Sequence, residues 1–254
     1  MNSRMEVNVK GKLYIIGIGP GNEDNMTVRA QKSIRACDVL VGYSAYIEQI
    51  KALCDGKKVL SNGMGQEKDR CRAAIEEASK GTTVGLVCSG DPGLYGMAGL
   101  TYQLASQMGA YELIELEVIP GVTSAFSCSS LLGAPIVEDF CTISLSDYMV
   151  EWDKIINRVE MASKADFTIA LYNPRSSVRP DYLQQAVSVV VKYRSEDTPV
   201  GVVRNAYRED QTVYVTTLGK LDYDSIDMFC TLIIGNSTTR IIDGYMVTSR
   251  GYAL

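Results

Sequence analysis

The sequence contains no histidine. A catalytic triad built on an imidazole is therefore excluded. The common zinc sites are disfavoured as well, because the cysteines include no Cys-x-x-Cys pair. A basic excess is also missing: 25 lysines and arginines against 30 aspartates and glutamates leave a net charge of −5. That balance speaks against nucleic acid, whose phosphates favour basic faces, but it leaves room for a small anion held by local arginines. No apolar run approaches the roughly 20 residues that span a bilayer, which sets membrane partners aside. Residues 1–10 are polar and lack the apolar segment of a secretory leader, so a cytoplasmic location is expected. In that compartment the seven cysteines, an odd number, read as reduced and mostly buried thiols. The chemistry open to this chain uses carboxylates, hydroxyls, backbone groups or a bound cofactor.

The 254 residues, 46% apolar and 22% charged, are enough for one large core or two modest ones. One stretch organises the rest. An apolar strand over residues 83–89 runs into Gly90-Asp91-Pro92-Gly93, and a helix restarts near Tyr95. In open α/β folds ligands sit at such a carboxyl edge. Glycine lets the backbone come close to a ligand and take positive φ, while Pro92 fixes φ. An ordinary strand-to-helix turn would look the same.

Alternation of strand and helix runs along the first half. Strands are expected at 12–18, 39–42, 58–60 and 115–119. Helices are expected at 27–36 with Thr27 as N-cap, at 44–53, at 67–80 with Cys71, Ala74, Ile75 and Ala78 inward, and at 96–108. This pattern predicts a parallel sheet. Gly17-Ile18-Gly19-Pro20-Gly21 lacks the third glycine and the prompt helix of a dinucleotide fingerprint, which weighs against a nicotinamide-dependent oxidoreductase. Pro120-Gly121-Val122-Thr123-Ser124 breaks the pattern, with Thr123 or Ser124 as N-cap of a helix to Leu132. A boundary between domains 1–120 and 121–254 is placed here, although a further loop within one domain would read alike. In the second half, strands are expected at 140–145, 167–172, 200–204, 211–217 and 230–234, with one more at 245–254. Helices are expected at 152–165 and 181–193. Three successive strands without a helix between them predict that part of this sheet is antiparallel. Trp152, Ile155, Ile156 and Val159 share one helical face and read as core.

Four strand ends now stand in order: Gly17-Ile-Gly-Pro-Gly21, Ser89-Gly-Asp-Pro-Gly-Leu-Tyr-Gly96, Ile119-Pro-Gly-Val-Thr-Ser124 and Leu171-Tyr-Asn-Pro-Arg-Ser176. In this order and spacing, along nearly the whole chain, they resemble the tetrapyrrole methylase family. The resemblance implies two α/β domains, an N-terminal parallel sheet and a C-terminal mixed sheet, with S-adenosylmethionine bound in a cleft between them. Tyr95-Gly-Met-Ala-Gly99, Leu132-Gly-Ala-Pro135, Ile143-Ser-Leu-Ser-Asp147 and Gly244-Tyr-Met-Val-Thr-Ser-Arg-Gly-Tyr252 are most similar to members that methylate C17 of a corrin precursor and contract the ring. The substrate so implied is precorrin-3B or its cobalt-containing equivalent, with any cobalt carried by the substrate and no metal held by the protein. Methylation of another ring carbon, or non-catalytic tetrapyrrole binding, are the other readings.

Carried over by position, the cofactor site comprises Pro20, Gly90, Asp91, Leu94, Thr123, Ser124, Tyr172, Asn173 and Ala206. Asp91 could equally hold its own turn, and Asn173 could cap a strand end. A substrate rich in carboxylates needs basic partners. Arg175, Arg204 and Arg250, with Arg208 nearby, lie near expected strand ends, where a solvated arginine is the plainer reading. The catalytic candidates are Glu138, Asp139 and Asp147. Similar sequences often carry a histidine where this one has Glu138. A carboxylate there could move protons if burial raised its pKa, or it could be a plain surface residue. The resemblance also implies a homodimer.

Overall fold

The computed structural model describes residues 10–252. Residues 1–9 of the polar amino-terminal stretch, and the last two residues of the strand expected at 245–254, lie outside the described residues. The described residues form two compact units, one ending at Thr123 and the other starting at Ser124. The boundary expected after Pro120 falls in the same connection.

The first unit alternates as β1 (Gly11–Gly17), α1 (Val28–Ala36), β2 (Val39–Tyr43), α2 (Ser44–Gln49), β3 (Lys58–Asn62), α3 (Glu67–Ala78), β4 (Thr83–Cys88), α4 (Ala98–Gln107) and β5 (Ile114–Ile119). Its sheet has the order β3-β2-β4-β1-β5 and every pairing is parallel. Such a sheet is covered on both faces, which is why its strands are apolar at successive positions. Leu13, Ile15, Val84 and Leu86 pack with Cys71, Ala74, Ile75 and Ala78 of α3. Ile16, Ile18 and Val87 turn to the other face and meet Ala30 and Ile34 of α1. Each of these buried Leu, Ile and Val side chains contributes about 2 kcal/mol. The chain leaves β1 toward β2 and leaves the neighbouring β4 toward β5, in opposite directions. A crevice opens outside the carboxyl ends of two strands that diverge in this way.

The Thr27 hydroxyl accepts from the Ala30 N–H at 3.1 Å, as the expected N-cap does. Among the helix limits that differ from expectation, two stand near the strand ends of this unit. α2 gives way after Gln49 to a 3-10 turn at Lys51–Leu53. α4 starts at Ala98 and not near Tyr95, because Tyr95 has a left-handed backbone (φ 54°). Gly96 packs so closely that a Cβ would lie 2.6 Å from the Pro92 carbonyl oxygen.

The second unit comprises α5 (Ser124–Leu132), β6 (Gly133–Ala134), β7 (Phe140–Ser144), α6 (Trp152–Lys164), β8 (Thr168–Tyr172), α7 (Tyr182–Val190), β9 (Pro199–Arg204), β10 (Thr212–Thr217), β11 (Cys230–Ile234), β12 (Arg240–Ile242) and β13 (Tyr245–Val247). Its main sheet has the order β10-β9-β11-β8-β7. β7 and β8 run parallel, and the remaining pairs are antiparallel, so the sheet is mixed as expected. Ile155 and Val159 of α6 are buried on one face, with Trp152 and Ile156 packed against the same cluster. α5 covers the other face through Ala125, Cys128 and Leu132. The expected terminal strand is shorter, and it belongs to a small separate sheet, β12-β13-β6. Asp243 and Gly244 both have positive φ, which closes the β12–β13 hairpin in two residues. No helix among the described residues is long and apolar enough to cross a membrane.

Candidate functional site

In the first unit, the carboxyl ends of the adjacent strands β4, β1 and β5 run into three loops that meet through backbone atoms. Gly19 and Gly90 exchange N–H to carbonyl bonds of 3.1 and 2.8 Å. A Cβ on Gly121 would lie 2.1 Å from the Gly90 oxygen, and one on Gly17 would lie 2.5 Å from it. Only glycine allows chains to approach so closely. The Asp91 carboxylate accepts from the Gly93 N–H at 2.8 Å and from the Gly121 N–H at 3.1 Å. Asp91 therefore holds its own turn, the plainer of its two readings, and also ties that turn to the β5 loop. Gly90 differs from Gly17, Gly19 and Gly121. Its φ is +63°, yet a Cβ there would meet nothing closer than Thr123 Cα at 3.6 Å. At Gly90 it is the left-handed backbone, not a collision, that calls for glycine, since the nearest atoms lie at ordinary contact distance. Pro20 is buried next to this contact, and Leu94 and Thr123 are half-buried around it.

In the second unit, Tyr172 ends β8, and its hydroxyl accepts the Ala125 N–H at 2.8 Å in the first turn of α5. A helix start leaves such N–H groups without helical partners, and here a neighbouring strand supplies the acceptor. Tyr172 and Ala206 pack on the same cluster as Ala125 and Cys128, so the structure gathers Ser124, Tyr172 and Ala206 around the start of α5. Asn173 follows with φ 51°, and its Nδ2 donates to Ser144 Oγ at 2.9 Å, tying the end of β8 to that of β7. Asn205 and Tyr207, beyond β9, are also left-handed, with φ of 50° and 59°. Non-glycine residues pay about 1 kcal/mol or more for that conformation, and they concentrate at functional sites.

Asp147 stands beyond β7. Its carboxylate accepts from Tyr182 Oη at 2.7 Å and from Arg179 Nε. The Tyr182 hydrogen bond first, and Arg179 second, hold the carboxyl below its ordinary range, and Asp147 in turn pushes the Tyr182 phenol up. A carboxylate held in this way orients its partners and does not store a proton near neutrality. Tyr182 also stacks on Trp152, with ring centres 3.9 Å apart. Arg179 and Tyr182 escaped the sequence reading, although they follow Asn173-Pro-Arg-Ser176 closely. Arg175 donates to the Tyr223 carbonyl at 2.6 Å and to Asp224 at 3.1 Å. Arg204 pairs with Asp227 at 2.9 Å and lies over the Phe229 ring. Both arginines are thus engaged within their own unit.

Glu138, Asp139 and Arg250 do not join these groups. They line a hollow with Asp166 where β7 and β8 begin, about 16 Å from the strand ends that carry Asn173 and Asp147. Glu138 and Asp139 are exposed. Among the described residues no cluster of three or more carboxylates or thiols is arranged to hold a metal ion. The seven cysteines are free. Burial pushes Cys37, Cys88 and Cys128 up to about 12, which makes them inert thiols.

A profile of the tetrapyrrole (corrin/porphyrin) methylases matches residues 12–222. The chain belongs to the tetrapyrrole methylase family. It is 45% identical over 242 residues to the probable cobalt-factor III C(17)-methyltransferase of Salmonella typhimurium, covering 95% of this chain and 100% of that relative. It is 44% identical over 246 residues to the cobalt-factor III methyltransferase of Priestia megaterium, covering 96% of this chain but 46% of that longer relative. Identity to the precorrin-3B C(17)-methyltransferase of a Sinorhizobium species is 36%, over 92% of each. Among solved structures, the methyltransferase CobJ superposes with a TM-score of 0.90 at 28% identity, covering 94% of this methylase and 100% of that chain. Cobalt precorrin-4 methyltransferase CbiF superposes at 0.73 and 25% identity, covering 88% and 94%.

Proposed function

We propose that this methylase transfers the methyl group of S-adenosylmethionine to C17 of cobalt-factor III, with contraction of the macrocycle. The observation that carries the proposal is the 45% identity along the full length of the Salmonella relative. Identity to the precorrin-3B relative is lower, at 36%, which favours the cobalt-containing substrate. The cobalt then arrives as part of that substrate.

S-adenosylmethionine supplies an activated methyl group, so that positioning and in-line approach carry much of the acceleration. This suits a chain without histidine. The glycine-built strand ends around Gly90, with Asp91 fixing the turn and Pro20, Leu94 and Thr123 around it, fit a ligand held largely through main-chain contacts. Ser124, Tyr172, Asn173 and Ala206 are the second unit's share of the same function. Asp147, kept ionised by Tyr182 and Arg179, is assigned an orienting role. Arg175 and Arg204 are the proposed partners of substrate carboxylates, which would take the place of Asp224 and Asp227, whereas Arg250 lies in the separate hollow with Asp139. Glu138 and Asp139, exposed at the other end of β7 and β8, are given no part in methyl transfer, so Glu138→Gln should spare transfer. The resemblance to the family also implies a homodimer, which sedimentation would read directly.

The test is calorimetric binding of S-adenosylhomocysteine followed by single-turnover methylation with cobalt-factor III and precorrin-3B offered separately. Binding, and preferential turnover of the cobalt form, are expected. Tight binding without transfer to either would move the reaction to another ring carbon. Absence of binding would remove the methyltransferase reading and reopen the nicotinamide-dependent alternative.

A further inference from the structure

Arg70, in the first turn of α3, is only 3% exposed and has no role in the loops described above. Its guanidinium reaches the carboxyl edge of the first sheet. Nε donates to Asn62 Oδ1 at 2.8 Å, and Nη2 donates to the Gly63 carbonyl at 2.8 Å. Nη1 faces Met97 Sδ at 3.6 Å, and the Tyr43 ring centre lies 5.8 Å away. A guanidinium has five N–H groups, and these partners engage three of them, one only through a weakly accepting sulfur. All the partners are neutral. Among the described residues no salt bridge involves Arg70, and Glu67, the first residue of α3, lines the same hollow without an ion pair. A buried cation without a counter-ion is costly, and removing that cost requires an anion.

The hollow into which Arg70 faces holds about 140 Å³ and is rimmed by Tyr43, Tyr46, Met64, Tyr95 and Met97. Ser89 and Gly96 also line it, so it adjoins the Gly90–Asp91 loop. A water molecule takes about 30 Å³ of liquid, so this volume admits a carboxylate on a short arm and not a macrocycle. The aromatic rim lowers the local dielectric, which strengthens a charge-assisted bond. Tyr95 keeps its strained left-handed backbone at this rim, another mark of a built site.

We propose that Arg70 and its tyrosine rim form a carboxylate-receiving subsite beside the methyl-donor loop. The proposal rests on the methyltransferase reading, which provides two sources of that carboxylate: a side arm of the macrocycle, and the methionine moiety of the methyl donor. Met64 is 63% exposed at the mouth and makes none of the Arg70 contacts, so changing it alters the charge of the hollow without disturbing the guanidinium.

The experiment compares the full-length protein with Met64→Glu, Met64→Lys and Arg70→Gln, titrating S-adenosylhomocysteine and cobalt-factor III separately by calorimetry. Met64→Glu and Arg70→Gln are expected to weaken one of the two ligands by about tenfold or more, and Met64→Lys to leave it as tight or tighter. A loss confined to cobalt-factor III assigns the carboxylate to the macrocycle. A loss confined to S-adenosylhomocysteine assigns it to the methyl donor. Unchanged affinity for both ligands in Met64→Glu overturns the subsite, even if Arg70→Gln is impaired, because the latter then reports a lost clamp on Asn62 and Gly63. A wild-type chain that binds neither ligand contradicts the methyltransferase reading itself, and the subsite falls with it.

Discussion

In the first unit, the loops beyond β4, β1 and β5 touch through backbone atoms. In the second, the ends of β7, β8 and α5 are joined by side chains. Gly17, Gly90 and Gly121 form one contact, with a single carboxylate, Asp91, stitched across it. The second unit instead uses Tyr172 on Ala125, Asn173 on Ser144, and Asp147 on Arg179 and Tyr182. Backbone contacts leave no slack, because a Cβ has nowhere to go. Side-chain contacts can be lost one at a time, each for the value of a hydrogen bond. The first unit should therefore be brittle at its strand ends and the second tunable.

The largest effect is expected from Gly121→Ala. With a Cβ 2.1 Å from the Gly90 oxygen, the loops must move apart, at a cost of about 3 kcal/mol in urea unfolding. Gly90→Ala sharpens the point, since only its backbone conformation is strained. About 1 kcal/mol should be lost, with weaker binding of S-adenosylhomocysteine as the main consequence. On the side-chain end, Tyr172→Phe removes the acceptor for the Ala125 N–H and should also cost about 1 kcal/mol, as loss of an N-cap does. Comparable losses in Gly121→Ala and Tyr172→Phe would erase the contrast.

Asp147→Asn tests the second unit through pH. The folded carboxyl titrates below its unfolded value, so its stabilisation is present above the unfolded pKa and fades as pH falls through the folded one. Wild type and variant should therefore differ at neutral pH and converge in acid. In the variant the Tyr182 phenol should titrate closer to an ordinary tyrosine, which ultraviolet difference spectra would follow. The smallest effect concerns the thiols: at pH 8 a disulfide reagent should leave Cys88 and Cys128 untouched until the protein unfolds.

The same contrast explains what could be read from the sequence. Glycines and prolines at strand ends act locally, so the loop at Gly90-Asp91-Pro92-Gly93, the parallel sheet and the Thr27 cap were all legible. α3 was legible from its spacing, but Arg70 within it was not marked, because its partners at Asn62, Gly63 and Met97 come from other elements. Arg179 and Tyr182 escaped for a similar reason: their acceptor, Asp147, lies more than thirty residues earlier in the chain. The start of α4 was misread because Tyr95 adopts a conformation that local preference disfavours. β12 was missed because three exposed residues carry no alternation to read.

The most direct measurement is a single turnover with S-adenosylmethionine labelled with carbon-13 in its methyl group and cobalt-factor III, with the product examined by nuclear magnetic resonance. The labelled methyl should appear on C17 of a ring-contracted product. Label on another ring carbon, or unlabelled substrate recovered from an enzyme that binds S-adenosylhomocysteine, would contradict the assignment.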